Sequence, residues 1–327
     1  MPKRLVDLRS QVPLLDIASY GRRGPGHRRA PSPAEIAHAS RTARGVPEVM
    51  IKVSGGARTI RGVATHLDYL EKRADLETDD GAILTEKGLG RDLLKDWDLE
   101  IDERRHYTQR GIAAARKTPK LVHNIVFSMP KGTPADKLYK AVKKFATEKF
   151  GAQHRYAMAL HTDQGHPHVH MVVKAISERG KRLNIYKATL REWRRDFAQY
   201  LREFGVEANA TERAVRGARQ QNQKTGMYRA ASRGDSDFMR ERVEAVAREL
   251  RGGGVRAGDG QSRLADTRRE VEGGWHAFAE LLEQEGRRDD AAQIRRFVER
   301  IPPVRTDRQW IAERLRAAIR ERAPPAR

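Results

Sequence analysis

Residues 161–170 of the chain are His161-Thr162-Asp163-Gln164-Gly165-His166-Pro167-His168-Val169-His170. Met171, Val172 and Val173 follow at once, so a His-x-His pair enters an apolar, β-branched run. Side chains alternate along such a run, and the pattern predicts a β-strand that carries two imidazoles on one face. Four of the chain's 11 histidines fall within these ten residues. This concentration predicts a metal site on the strand.

A two-residue turn at Gln164-Gly165 would fold the stretch into a hairpin. Antiparallel pairing then places Asp163 opposite His166, His161 opposite His168, and Ala159 opposite His170. Because successive side chains point to opposite faces, one face of the hairpin carries all the polar groups: His161, Asp163, His166, His168 and His170. The apolar residues between them point to the other face, which is predicted to be the core side of a sheet.

The predicted metal ligands are His161, His168 and His170. Two imidazoles two residues apart on a strand are roughly 6.6 Å apart, at about 3.3 Å per residue, and can meet on one ion. The expected cofactor is one divalent ion, Mg²⁺ or Mn²⁺, with Zn²⁺ as an alternative. With no carboxylate ligand, such a site keeps its positive charge and suits a bound phosphate. The alternative is a set of scattered surface histidines or a purely structural metal site.

Composition narrows the function classes. Lys and Arg exceed Asp and Glu by 21 in 327 residues, which favours a polyanionic partner, and nucleic acid above all. The chain has no cysteine, so disulfides, thiolate zinc sites and cysteine nucleophiles are excluded. No apolar run approaches the roughly 18 residues of a membrane span, and the N-terminus lacks a secretory signal. We therefore expect a cytoplasmic protein without membrane insertion.

Hydrophobic periodicity predicts an α+β fold, in which a mostly antiparallel sheet with flanking helices precedes a helical C-terminal region. Three parts follow along the chain. Residues 1–48 are rich in Arg, Pro and Gly and are predicted to be a flexible basic arm. Residues 49–217 form the predicted catalytic domain, and residues 218–327 form a helical, basic C-terminal region with linkers.

A metal site that polarises a phosphodiester also needs an attacking oxygen, from water or from a side chain. A helix is predicted from about Thr59 to Lys72, and its buried stripe includes Leu67 and Leu70. At about 100° per residue, Tyr69 lies roughly 140° from the centre of that stripe, so core packing does not explain it. Tyr69 is either a nucleophile or an ordinary surface tyrosine.

Three segments resemble the motifs of a known family, in that family's order. His161 to His170 resembles the third motif of conjugative relaxases of the mobilisation class that includes the T-DNA border endonuclease, within the HUH superfamily. His66-Leu67-Asp68-Tyr69-Leu70 resembles the first motif, in which the catalytic tyrosine follows an acidic residue. Residues 122–130 resemble the second motif, in which a serine contacts DNA. The resemblance covers residues 49–217, which makes this segment the expected relaxase domain.

The resemblance implies a DNA relaxase, a site- and strand-specific endonuclease and strand transferase. It would nick one strand at the transfer origin of a plasmid or integrative element. Tyr69 would attack the phosphate that the histidine-bound ion holds, giving a 5′-phosphotyrosyl DNA and a free 3′-OH, and the strand would be rejoined after transfer. Asp163 or His166 would accept or relay the tyrosine proton. The expected DNA contacts are Ser128, Lys131, Arg155 and Lys174.

The partners implied by the resemblance are single-stranded or extruded origin DNA, relaxosome accessory proteins and a type IV secretion coupling protein. The chain would work in the bacterial cytoplasm and be exported with its DNA through a secretion channel. Its basic C-terminal segment, residues 314–327, is either an export signal or an ordinary amphipathic helix.

Three other functions remain open from the sequence. A rolling-circle replication initiator uses the same histidine hairpin, with a tyrosine after the histidines, and Tyr186 and Tyr200 occur there. A metal-dependent nuclease that uses water needs no tyrosine. A DNA-binding or structural zinc protein accounts for the charge but not for the open, all-histidine site.

Overall fold

The computed structural model describes residues 16–22, 29–109, 118–151, 153–163, 165–218, 236–255 and 260–322. These residues form two compact units. One lies within residues 45–210, and the other combines parts of residues 11–44 with parts of residues 211–327.

A six-stranded antiparallel sheet forms the first unit. Its strands are β1 (Met50–Gly55), β2 (Leu76–Thr78), β3 (Ile83–Leu84), β4 (Val122–Ser128), β5 (Tyr156–His161) and β6 (His168–Lys174). They lie in the order β1-β4-β6-β5-β2-β3, and every neighbouring pair is antiparallel. The predicted fold class, α+β with an antiparallel sheet, is confirmed.

The helices, numbered in chain order, flank this sheet or build the second unit. They are α1 (Ile17–Arg22), α2 (Pro33–Ala43), α3 (Ile60–Glu71), α4 (Leu93–Asp96), α5 (Leu99–Gln109), α6 (Ala135–Lys149), α7 (Lys187–Glu203), α8 (Asp237–Arg251), α9 (Gln261–Gln284), α10 (Arg288–Glu299) and α11 (Asp307–Arg322). No helix among the described residues is both long enough and apolar enough to cross a membrane.

The register of β5 and β6 is the one predicted from the sequence for these strands. His161 pairs with His168, and Ala159 pairs with His170. At the turn, Gly165 has a φ of 72°, in the left-handed region that favours glycine, while Gln164 lies outside the described residues.

One expected pairing is not formed. The ladder ends at the His161–His168 pair, so Asp163 and His166 lie in the connecting loop and not opposite each other on the sheet. Pro167 explains this end point, because a proline has no N–H to donate to a ladder.

Hydrophobic clusters cover both faces of the sheet. Helices α6 and α7 pack on one face, where Val169, Met171 and Val173 point as predicted. Helix α3 covers the other face. There its Leu67 and Leu70 belong to a cluster that also includes the small residues Ala157 and Ala159 of β5 and Val172 of β6. Helix α3 therefore lies on the face of the sheet that carries the histidines.

Phe145 of α6 is central to the first cluster. It is fully buried, and its ring makes edge contacts with Phe127 at 5.0 Å and Trp193 at 5.7 Å between ring centroids. We expect Phe145→Ala to lower the free energy of unfolding by about 3–5 kcal/mol, because it leaves a cavity in a close-packed core. Urea unfolding followed by circular dichroism measures this change. Ile83→Ala, at a side chain that is 62% exposed, is the control, and an equal loss in both variants would contradict the prediction.

The N-terminal segment differs from the flexible arm predicted for residues 1–48. Residues 1–15 and 23–28 lie outside the described residues, but α1 and α2 fold with the C-terminal helices in the second unit. Ser32 and Glu35 form a capping box at the start of α2. This pattern predicts a helix start, whereas the basic composition of the segment predicts a flexible arm. Ile36 is then buried in the cluster that contains Trp275.

Close backbone contact holds α1 on α9. A Cβ atom at Gly274 would lie 2.0 Å from the carbonyl oxygen of Ile17, so only glycine permits this approach. The described residues of the predicted arm are therefore part of a packed helical unit.

Candidate metal centre and nucleophile

Three histidines converge at the end of the β5–β6 hairpin. The ring centroids of His161, His168 and His170 lie 4.7 to 5.4 Å apart. One ligand nitrogen from each ring lies within 4.8 Å of the others. Small side-chain rotations would bring three such nitrogens to the roughly 2.0–2.1 Å that a zinc–imidazole bond requires. The arrangement is that of a three-imidazole cation site.

The chemistry of these rings fits a bound ion. His161 is only 2% exposed, and neither of its ring nitrogens has a hydrogen-bond partner among the described residues. A buried polar atom left unpaired costs about 1–3 kcal/mol, and coordination of a cation would satisfy it. This orphaned imidazole is the strongest sign that the cluster is built to hold a metal.

A second contact orients another ligand. The Nδ1 atom of His168 lies 3.2 Å from the carbonyl oxygen of His166 and donates to it in the neutral ring. The Nε2 atom of His168 then keeps its lone pair for a metal. His166 thus takes part through its backbone, and its ring lies 5.5 Å from that of His168.

Helix α3 brings Tyr69 to this cluster. Thr59 begins the helix by accepting a hydrogen bond from the Gly62 backbone N–H at 3.2 Å. The buried stripe faces the sheet, while Tyr69 stays 39% exposed, as its angular position predicts. Its ring centroid lies 6.5 Å from that of His161 and 6.3 Å from that of His170. The phenol therefore stands beside two of the three candidate ligands.

Two residues that sequence reasoning missed flank Tyr69. The His66 ring lies nearly parallel to the Tyr69 ring, with centroids 6.1 Å apart, and the Arg73 guanidinium lies 5.0 Å from the Tyr69 centroid. Arg73 also forms an ion pair with Asp163. The spacing of His66, three residues before Tyr69, is the signal that could have found it, because such residues are neighbours on a helix. Arg73 lies beyond the end of α3, so helical spacing does not indicate it.

Burial keeps several of these imidazoles neutral. Desolvation, followed by the charge of His161, lowers the pKa of His170 to about 4. Desolvation also lowers the pKa of His161, with a contribution from His168, and it lowers the pKa of His66. Neutral imidazoles are the form that binds metals, so burial favours the metal-binding form of His161 and His170.

The lowered pKa of His170 can be measured in the metal-free protein. A histidine in the unfolded chain gains its proton near pH 6.5, whereas folded His170 resists protonation down to about pH 4. The stability that His170 supplies is therefore present above about pH 6.5 and is lost as the pH falls toward 4. We expect an NMR titration, assigned through His170→Gln, to show the neutral imidazole at pH 5.5. A midpoint near 6.5 would contradict this expectation.

The predicted DNA contacts lie at two ends of the sheet. Ser128 ends β4 directly opposite His168, and the exposed Lys131 follows it, so both lie toward the histidine end. Arg155 and Lys174 lie about 20 Å away, the length of a seven-residue strand.

The charges of these two distant residues are already paired. Arg155 donates to Asp79 at 3.0 Å and to Asp96 at 2.7 Å, and the buried Lys174 pairs with Glu178 at 3.2 Å. The DNA contacts predicted for Arg155 and Lys174 gain no support from this placement.

The alternative tyrosines lie elsewhere. Tyr200 is buried in the α6–α7 core and donates to Glu148 at 2.5 Å, and burial with this hydrogen bond raises its pKa. Tyr186 is 66% exposed and precedes α7. Among the described residues, ring contacts between a tyrosine and the histidine cluster involve Tyr69.

Comparison with known proteins gives one family. Residues 69–206 match the family model of the relaxase nuclease domain described as MobA/VirD2-like. The chain is 29% identical over 191 residues to the T-DNA border endonuclease VirD2 of Rhizobium radiobacter, an alignment that covers 52% of this chain and 43% of the relative.

Two further relatives carry the same description. The VirD2 protein of Agrobacterium fabrum is 28% identical over 207 residues, covering 57% of this chain and 44% of its own length. The Rhizobium rhizogenes protein is 29% identical over 191 residues, covering 52% and 42%. The chain thus spans less than half the length of the curated relatives it matches. The chain is thus similar to the MobA/VirD2-like relaxases over residues 69–206, the segment that matches their nuclease domain and that carries Tyr69 and the histidine cluster.

Proposed function

We propose that this chain is a DNA relaxase, which nicks one strand at the transfer origin of a mobile element and later rejoins it. The observation that carries the proposal is the position of the Tyr69 ring, 6.5 and 6.3 Å from the His161 and His170 rings. An oxygen nucleophile beside an open cation site is the arrangement that phosphodiester transfer needs. The excess of 21 positive charges suits a DNA substrate.

The chemistry divides among a few side chains. The Tyr69 hydroxyl attacks the scissile phosphorus, a Tyr–O–P bond forms, and the bond from phosphorus to the 3′ oxygen breaks. The tyrosine gives up its proton, and the departing 3′ oxygen gains one, so a free 3′-OH results. His166, in the loop beside His168, is our candidate for relaying that proton. Rejoining reverses these steps, because the phosphotyrosine retains the energy of the phosphodiester.

His161, His168 and His170 would hold one divalent ion. When bound, the ion neutralises the charge that develops on the phosphate oxygens. The proposed ion is Mg²⁺ or Mn²⁺, with Zn²⁺ as the alternative that imidazole ligands favour, since Mg²⁺ and Mn²⁺ prefer oxygen ligands. Mn²⁺ is used in the tests because electron paramagnetic resonance detects it. Ser128 and Lys131, at the same end of the sheet, would position the DNA backbone.

The proposed partners follow from the substrate. Single-stranded or extruded origin DNA would bind the exposed side of Tyr69. Relaxosome accessory proteins and a type IV secretion coupling protein would complete the transfer machinery in a bacterial cytoplasm, and the chain would leave the cell with its DNA.

An adduct assay tests the proposal. Single-stranded oligonucleotides tiled across the DNA that flanks the gene are incubated with the chain and Mn²⁺, then separated on a denaturing gel. With a 3′ label we expect a slow, protease-sensitive band, because the protein is attached to the 5′ end of the downstream fragment. With a 5′ label we expect a short free fragment that a polymerase can extend.

The assay also distinguishes the alternatives. Two free fragments without an adduct would indicate a nuclease that uses water, and no cleavage would indicate a binding protein. Peptide mapping of the adduct identifies the nucleophile. A modified Tyr186 or Tyr200 would favour a rolling-circle initiator.

A further inference from the structure

Arg73 connects the nucleophile with the histidine hairpin. Its guanidinium lies 5.0 Å from the Tyr69 ring centroid and forms an ion pair with the Asp163 carboxylate. Asp163 is only two residues after His161, while Arg73 follows the end of α3. One side chain thus reaches both the proposed nucleophile and the loop that joins the two strands of the proposed metal site.

Two neighbouring side chains, His66 and Arg73, contact the Tyr69 ring. His66 precedes it by three residues and lies about one helical turn away on the same face of α3, whereas Arg73 reaches it from beyond the end of the helix. The His66 ring is inclined by only 14° to the Tyr69 ring. Two neighbours therefore limit the rotation of a side chain that is otherwise 39% exposed.

Stability does not explain the Arg73–Asp163 pair. Its side chains are 37% and 46% exposed, and ion pairs this exposed contribute little to folding. Its geometry is more informative, because the planar guanidinium can lie over an aromatic face while its N–H groups bind a carboxylate. The pair joins residues that are 90 positions apart in the chain.

We propose that Arg73 is a positioning residue for Tyr69 and that Asp163 acts by anchoring Arg73. The inference rests on the proposed function, since it concerns the phenol that forms the adduct. In this arrangement the Asp163 carboxylate fixes the guanidinium, and the guanidinium fixes the plane of the Tyr69 ring beside His161 and His170. Arg73 then changes the rate of attack and not the affinity for DNA.

Single-turnover kinetics test the inference. The rate of adduct formation is measured at saturating oligonucleotide with Mn²⁺. DNA affinity is measured separately, in Tyr69→Phe protein that carries the same second substitution. We expect Arg73→Gln to lower the saturating rate at least about tenfold, because a small misplacement of a reacting group is costly. Its DNA dissociation constant should stay within about threefold of the reference.

Further variants separate positioning from other roles. Arg73→Lys keeps the charge but not the planar stacking, and should recover part of the rate. If the two residues act as one unit, Asp163→Asn should resemble Arg73→Gln, and the double variant should be no slower than either single variant. Arg91→Gln is the matched control. Arg91 makes a two-point ion pair with Asp68, next to Tyr69, and its removal should leave the rate unchanged.

Several results would overturn the inference. A wild-type rate in Arg73→Gln would remove the positioning role. A dissociation constant raised at least tenfold with an unchanged saturating rate would make Arg73 a DNA contact. Additive losses in the double variant would separate Asp163 from Arg73. If the wild-type chain forms no adduct, the proposed function itself fails, and the inference fails with it.

Discussion

Replacing Tyr69 with phenylalanine is expected to abolish the covalent protein–DNA adduct. The change removes the attacking oxygen but keeps the ring, with its neighbours His66 and Arg73. Losing the nucleophile of a covalent mechanism should lower the rate at least about a thousandfold. Denaturing gels with a 3′-labelled oligonucleotide measure the adduct directly.

Two measurements make this result interpretable. DNA affinity of Tyr69→Phe should stay within about threefold of wild type, since the substrate contacts remain. Tyr186→Phe, at an exposed tyrosine that precedes α7, is the control and should form the adduct at the normal rate. An adduct that persists in Tyr69→Phe would mean that another side chain is the nucleophile.

Loss of a histidine ligand should have the second-largest effect. We expect His161→Ala to lower the affinity for Mn²⁺ at least about tenfold, because one of three imidazole ligands is gone. The nicking rate at a fixed Mn²⁺ concentration should fall at least about a hundredfold. Electron paramagnetic resonance counts the bound Mn²⁺, and one ion per wild-type chain is expected.

Stability provides an independent readout for this variant. Metal that binds only the folded state raises the melting temperature, so Mn²⁺ should stabilise the wild-type chain and have little effect on His161→Ala. Without metal, His161→Ala should lose only the folding free energy that its small cavity costs. The substitution also removes two buried nitrogens that have no hydrogen-bond partner, which offsets part of that loss. His276→Ala, at an exposed histidine of α9, is the control. Metal-dependent nicking that survives in His161→Ala would show that the ligand set is wrong.

The histidine hairpin could be predicted because the residues that determine it are close together in the sequence. Strand alternation and a glycine at the turn give the His161–His168 pairing, and the structure has that pairing. The loop was less predictable. The expected pairing of Asp163 with His166 fails, and Asp163 instead pairs with Arg73, a partner that no local pattern indicates.

Composition was a poor guide to the N-terminal segment. Many arginines and glycines indicate a flexible arm, yet the described part includes α2, which begins with the Ser32–Glu35 capping box. Its apolar side becomes part of a core where α10 packs against it, in the cluster that also contains Trp275 and Phe278. Such a helix gains its stability from packing, which a single-segment pattern does not reveal.

Local sequence patterns predict the elements of the site: three imidazoles on one face of a hairpin, a tyrosine outside the apolar stripe of its helix, and a strongly basic chain. Alternation and helical periodicity act over a few residues, so these features can be derived from local patterns. Only the tertiary structure brought Tyr69 to the histidines and Arg73 to Asp163. Those contacts depend on the packing of α3 against the sheet, which is a property of two surfaces that meet.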